Sequence, residues 1–276
     1  MTPAESHHLQ IRIRQELGVA DDFDAAMEIE RRVQFLSNLL RRTGARALVL
    51  GISGGVDSLT AGCLAQRAVQ RVRQQGGDAR FVAMRLPYGV QRDEADAQGG
   101  LAVIGPDDIL TVDIQPAADA LLAAVQAAGQ GFRDAAQQDF LHGNIKARQR
   151  MIAQYAVAGA RGGLVVGTDH AAEALMGFFT KFGDGAADAT PLAGLNKRRV
   201  RALASALGAS DALVYKVPTA DLESLRPLKP DEEAFGVSYE QIDDFLEGKA
   251  IAPAAFDIIV ETWRRSAHKR ALPIAP

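Results

Sequence analysis

"LVLGISGGVDSLTAGCLAQ", residues 48–66, passes from a continuous apolar run through a glycine-rich turn into a helical pattern. An apolar run without alternation is the mark of a strand covered on both faces. Gly51, Gly54 and Gly55 permit positive φ and a close backbone approach to a ligand, and Ser53 and Ser58 add hydroxyls. The helix opening near residue 57 offers unpaired N–H groups and the positive end of its dipole. The spacing predicts a phosphate cradle, but the lysine of the Walker pattern is replaced by Asp57, and the dinucleotide pattern GxGxxG is absent. An aspartate in a first helical turn can serve the dipole alone. Among three glycines and two serines it reads instead as a carboxylate that meets phosphates across a divalent cation, and Mg²⁺ favours such oxygen ligands.

Four more apolar runs match the first: "ARFVAMRL" (79–86), "ILTVDI" (109–114), "GLVVGT" (163–168) and "ALVYKV" (212–217). Helical patterns lie between them at 57–75, 91–103, 116–128, 142–159 and 196–207, with another before the first strand at 22–42. Alternating strands and helices predict right-handed crossovers and an α/β fold, a doubly wound parallel sheet of about five strands with helices on both faces. The 276 residues read as a single domain: an N-terminal helical segment (1–45), a nucleotide-binding core (46–217) and a C-terminal region of loop and helices (218–276). Two stretches, 177–195 and 218–236, look structureless and therefore like lids or binding loops.

A net charge of −3 gives no basic field for nucleic acid, and no apolar run approaches a membrane span. The first twenty residues alternate apolar and charged positions without a secretory core, so a cytoplasmic enzyme is expected. The single cysteine, Cys63, excludes a disulfide framework, and its place in the helix after the glycine turn reads as a packed thiol.

"SGGVDS" (53–58) resembles the pyrophosphate loop of the ATP pyrophosphatases, which cleave ATP between the α and β phosphates. That hexapeptide suits GMP synthetases equally well. The remaining blocks are similar to NAD synthetases, in order: "MRLPYGVQRDEADAQ" (84–98), "NIKARQRMIAQYA" (144–156), "GTDHAAEALMGFFTKFGDGAAD" (167–188), "PLAGLNKRRVRALA" (191–204), "VPTADLESLRP" (217–227), "SYEQIDDFLEGK" (238–249) and "AHKRALP" (267–273). The 167–188 block is the most specific of them.

The resemblance implies amidation of deamido-NAD to NAD with ATP and free ammonia, through an acyl-adenylate, releasing AMP and pyrophosphate. It implies ATP contacts from Gly51, Ile52, Ser53, Gly54, Gly55, Val56, Asp57, Ser58, Thr168, Lys197 and Thr219, with Arg85 and Gln91 at the adenine. Deamido-NAD falls to Arg148, Lys181, Asp188, His268 and Lys269, and magnesium to Asp57 and Glu173. Asp184, with Lys181, is assigned to the chemistry, Asp184 at the ammonium step. Each has a plainer reading: Glu173 as a dipole acid, Lys197 as a solvated helix start, 177–188 as a turn-rich loop, "HKR" as a basic tail. His170 reads as a cap or packing residue. The family forms symmetric dimers, which would set Arg148 against a second copy. A nucleotide sensor that binds ATP without turnover is the alternative of a different class.

Overall fold

The structure is a computed structural model that describes residues 2–89, 94–220, 222–225, 229–271 and 273. Four parallel strands, β1 (Ala47–Gly51), β2 (Arg80–Arg85), β3 (Asp108–Thr111) and β4 (Gly163–Val165), lie in the order β3-β2-β1-β4. Ala47 pairs with Arg80 on one side and with Gly163 on the other. The chain steps outward from β1 to β3 and then returns to the far side of β1. The order therefore reverses between β1 and β4, and ligands in open α/β sheets bind outside the strand carboxyl ends at such a point. The glycine turn follows β1 and "GTDH" follows β4, so the topology brings the two motifs together.

Both faces of β1 are buried, which explains its unbroken apolar run. Leu48 and Leu50 join Phe81 beneath α2 (Ala25–Thr43), α3 (Val56–Gln74) and α8 (Lys197–Ala206). Val49 joins Val82, Met84 and Val165 against Ile114 and Ala118 of the α5 region (helix Gln115–Ala127) and Ala158 of α6 (Ala135–Arg161). The stripe Ile29, Val33, Leu36, Leu40 of α2 faces the core as its spacing predicts. Helix α4 (Glu94–Ile104) crosses from β2 to β3.

The expected fifth strand does not form. Residues Asp211–Val214 make a short helix, α9, whose Val214 is buried against Val56 and Leu59, while Tyr215 and Val217 stay exposed. The free edge of β4 is already occupied. Val165 accepts the N–H groups of Asp188 and Ala189, Gly167 donates to Ala189, and the Asp188 carboxylate takes the Val165 N–H at 2.7 Å. A bridge from Val166 to Ala189 thus closes the position a fifth strand would need.

Three further departures concern helices. α1 (Pro3–Glu16) begins with Thr2 and Glu5 in a reciprocal cap and Pro3 in the first turn, which is a legible helix start. Its Leu9 and Ile13 pack with Leu175 of α7 (Ala171–Met176), with α11 (Tyr239–Leu246) and with α12 (Pro253–Arg265) in a second core. The helix expected at 142–159 extends over 27 residues, capped at Asp134. Of the two stretches read as structureless, 218–236 carries the antiparallel pair β5 (Thr219–Ala220) and β6 (Lys229–Pro230) and helix α10 (Asp231–Phe235). The last helix among the described residues is the short α13 (Ala267–Arg270).

Candidate active site

A cleft of about 430 Å³ opens at the carboxyl ends of β1 and β4. Its floor is the glycine turn. Gly51 donates its N–H to Gln154 of α6 at 2.8 Å, and Ile52 donates to Met84 at 2.8 Å. The Ile52 carbonyl accepts from the buried Arg85 guanidinium, which also pairs with Glu94 at 2.8 Å. Gly54 has φ +89°, and a Cβ there would stand 3.0 Å from the Ala97 N, so the turn is pressed against α4. Gly55 is the N-cap of α3 and has no side chain to cap it. Ser58 Oγ lies 3.2 Å from both the Ser53 N–H and the Ser53 hydroxyl, which stiffens the turn.

Asp57 projects from the first turn of α3 to Lys197, whose Nζ lies 2.7 Å from Asp57 Oδ2. Lys197 sits at the start of α8 because that terminus is neutralised from outside: Asp243 of α11 accepts the N–H groups of Lys197 and Arg198 at 2.9 and 2.7 Å. Its ammonium also lies 4.9 Å from the centre of the Tyr239 ring. Burial alone would push the Lys197 amine down, but Asp57 and Glu173 outweigh it and hold it charged. Burial likewise opposes ionisation of Asp57, yet Lys197 and His170 keep its carboxyl below the usual range.

His170 caps α7, its Nδ1 facing the Glu173 N–H at 3.4 Å. Its Nε2 stands 3.4 Å from both Asp57 Oδ1 and Glu173 Oε1. Burial works against its charge, but Glu173 and Asp57 prevail and raise it to about 9. Sequence reading set this residue aside as a cap. It is one, and it also faces both carboxylates, a pairing invisible until β1 and β4 are neighbours. Asp169 is pushed up to about 8, by burial first and then by Glu173 and Asp184.

Ligand atoms of Asp57, His170 and Glu173 all lie within 4.8 Å of one another. Lys197 uses one Asp57 oxygen, and the other, buried Oδ1, has no hydrogen-bond partner among the described residues. Asp57 Oδ1, with His170 Nε2 beside it at 3.4 Å, converges with the Glu173 carboxylate, and paired carboxylate oxygens fit a hard divalent cation. Asp57 and Glu173 would hold it.

The other residues expected at the site divide into groups. Thr168, Thr219, Asp184 and Lys269 join the glycine turn, Arg85 and Lys197 on the cleft walls. Asp184 accepts the Thr180 N–H at 2.9 Å, and burial raises its carboxyl against that bond. Lys269 donates to the carbonyls of Gly177 and Phe179 at 2.9 and 2.8 Å. Arg148, Lys181 and His268 form a separate cluster: Arg148 donates to the Lys181 carbonyl at 3.1 Å, and Lys181 Nζ to the His268 carbonyl at 2.6 Å. Asp188 stands apart from the cleft lining, at the β4 edge. Gln91 lies outside the described residues. The sequence reading missed Asp231, buried on the cleft wall, which accepts from Tyr239 Oη at 3.0 Å and is raised to about 6 by burial. The acidic run "PDEE" (230–233) marks the stretch without singling out that residue.

The NAD synthase family model matches residues 28–273. Over 276 residues the chain is 66% identical to an NH(3)-dependent NAD(+) synthetase of Streptomyces coelicolor, covering 100% of both. The crystal structure of NAD+ synthetase from Burkholderia pseudomallei superposes with a TM-score of 0.85 at 61% identity, covering 97% of this chain and 98% of that one. An NMN synthetase structure from Francisella tularensis gives 0.80 at 36% identity, covering 92% and 99%. With these matches beside its glycine turn and convergent carboxylates, the chain belongs to the NAD synthase family.

Proposed function

We propose that this chain amidates deamido-NAD to NAD, using ATP and free ammonia. The observation that carries this reading is the pairing of a phosphate-cradle turn with Asp57, Lys197 and Glu173 in one cleft, in a chain of this family. The nicotinate carboxylate oxygen attacks the α-phosphorus of ATP, the bond to the β-phosphate breaks, and pyrophosphate leaves. The ammonia nitrogen then attacks the acyl carbon, and the carbon–oxygen bond to AMP breaks. Both steps gather negative charge, so preorganised positive groups dominate the catalysis.

The first-turn N–H groups after Gly55 receive phosphate oxygens, and Lys197 supplies a fixed ammonium beside them. Magnesium, held by Asp57 and Glu173, would neutralise the triphosphate and polarise its α-phosphate. Asp184, on the cleft wall, attracts the ammonium ion and takes its proton when its carboxyl is ionised. Lys269 shapes one wall, and Arg148, Lys181 and His268 receive the far end of the dinucleotide. Thr168 and Thr219 bind ATP, with Arg85 and Gln91 towards the adenine. Asp188 acts through the segment it anchors.

The nitrogen comes as free ammonia. Glutamine use needs a reactive thiolate, and the one cysteine, Cys63, is buried with its thiol pushed up to about 11. A homodimer is supported by Leu141, Arg148 and Ile152, which share one stripe of α6, the two apolar residues being exposed. No helix among the described residues is long and apolar enough to cross a membrane, and the demand for ATP assigns the reaction to the cytoplasm.

The test is product analysis with Mg-ATP, deamido-NAD and either ammonium or glutamine, with nicotinate mononucleotide as a rival acceptor. NAD, AMP and pyrophosphate from ammonium alone are expected. Amidation of the mononucleotide in preference would move the substrate to that implied by the F. tularensis neighbour's name, and ATP binding without AMP would make the chain a sensor.

A further inference from the structure

One stripe of α6 grips the segment after β5. Asp139, Gly143 and Lys146 recur at spacings of four and three, so they share a helix face. The Asp139 carboxylate accepts the Ser224 N–H at 2.9 Å on one oxygen and the Leu225 N–H at 2.8 Å on the other. Lys146 Nζ donates to the Leu222 carbonyl at 3.0 Å and to Ser224 Oγ at 2.8 Å. Gly143 lies between them so close that a Cβ would stand 3.1 Å from Leu222 Cβ and 3.2 Å from its carbonyl oxygen. Asp139 is 9% exposed and Lys146 only 2%.

Burying two charged side chains to hold four residues of backbone is costly for a loop that only connects. The same Lys146 ammonium lies 4.1 Å from the centre of the Tyr88 ring, on the turn after β2. Tyr88 is fixed in turn by Asp119, which accepts its hydroxyl at 2.5 Å, and by edge-on contact with His142. One lysine therefore touches both the segment after β5, which lines the cleft, and the turn after β2. Leu222 and Glu223 form part of the cleft wall as a result.

We propose that Asp139, Gly143 and Lys146 are positioning residues for the amidation, seating residues 222–225 on α6 so that the cleft stays closed to water while the acyl-adenylate waits for ammonia. The assignment rests on the reaction proposed above. Without the seat, a water oxygen attacks the acyl carbon, the carbon–oxygen bond to AMP breaks, and deamido-NAD is regenerated with release of a proton. ATP is then spent without NAD.

The experiment compares Asp139→Ala, Lys146→Met and Gly143→Ala with the unmodified protein. Two readouts are taken: amide hydrogen exchange of residues 222–225 in the ligand-free protein, and the ratio of AMP to NAD formed at limiting ammonium. Exchange should quicken at least about fivefold, the effect of losing one such hydrogen bond. The AMP-to-NAD ratio should rise severalfold above one while unfolding temperatures change little. Asp139→Asn keeps one acceptor and should fall between. Unchanged exchange in folded Lys146→Met overturns the seat, and quickened exchange with a ratio of one overturns its role in excluding water. Failure of the unmodified protein to make NAD would instead remove the proposed reaction, and the exchange readout would still decide the seat.

Discussion

Lys197 Nζ stands 2.7 Å from Asp57 Oδ2, although 140 residues separate them, and this contact decides which carboxylate oxygen remains open. The lysine holds Oδ2 and leaves Oδ1 directed towards His170 and Glu173. Lys197→Met should therefore harm stability as well as activity. Breaking one side of a buried ion pair costs about 3–5 kcal/mol, and Asp57 keeps some access to the cleft, so the lower end is expected. Asp57→Asn with Lys197→Met should recover about 1 kcal/mol or more in a double-mutant cycle. Urea unfolding measures the coupling, and additive losses would show that the two residues act independently.

Glu173→Gln keeps size and hydrogen bonding but removes a charge from the carboxylate pair. Turnover should fall at least about 10–100-fold, the range typical of groups that only support a metal site. Raised magnesium should restore part of it. Titration of Mg-ATP binding by calorimetry, read against magnesium concentration, separates a metal defect from a folding defect.

Gly54→Ala tests the pressure of the turn on α4. A side chain at φ +89° costs about 1–3 kcal/mol by itself, and its Cβ would also press on the Ala97 N at 3.0 Å. Gly105→Ala, at φ +60° with nothing within 4 Å, carries only the first cost. The Gly54 variant should thus unfold at the lower temperature and bind ATP more weakly, while the Gly105 variant binds normally. Equal behaviour of the two would remove the contact from the account.

Asp169 predicts a pH dependence of stability. Its carboxyl titrates at about 8 in the fold against 3.8 when unperturbed, with burial the leading cause. Between those values the folded state keeps a proton that the unfolded state releases, so stability falls as pH rises through that window. The slope contributed is about 1.4 kcal/mol per pH unit at most. Asp169→Asn should flatten the decline in metal-free protein and gain most above pH 7. Parallel curves of melting temperature against pH for the two proteins would refute it.

Asp107 behaves in the opposite sense. Burial opposes its ionisation, but Arg73 at 2.8 Å and the Phe81 N–H at 2.8 Å hold its carboxyl below the usual carboxylate range. Its contribution is full above pH 3.8 and is lost as pH falls through its lower folded value. Asp107→Ala should cost about 1–3 kcal/mol at pH 7 by stranding those donors, and the gap to the unmodified protein should narrow in acid.

The parts legible in sequence were those written in neighbouring residues. The stretch 48–66 gave strand, turn and helix because burial on both faces, glycine freedom and helical periodicity each leave a local pattern. The run 212–217 carries the same apolar signal yet became a helix and an exposed tail, because residues 188–189 had already paired with β4. That competition depends on a segment more than twenty residues away. A phosphate role for Lys197 and a metal role for Glu173 are implied by family resemblance; of their plain readings, Glu173 does stand as an acid in the first turn of α7, whereas Lys197 is buried rather than solvated. The facing of His170 on Asp57 and the grip of Asp139 and Lys146 on residues 222–225 escaped because those partners lie on other elements. The reciprocal cap of Thr2 and Glu5 is a local pattern that marks a helix start in the sequence itself.

Asp188 joins the lateral edge of the sheet to the segment that walls the cleft. Peeling that segment away would bare the main-chain groups of residues 165–167 beside an apolar core. An uncovered edge of this kind is a template on which another chain can add a strand. The aspartate that keeps the segment home is therefore also a guard against self-association, and molecules caught with the segment displaced would be the ones that aggregate.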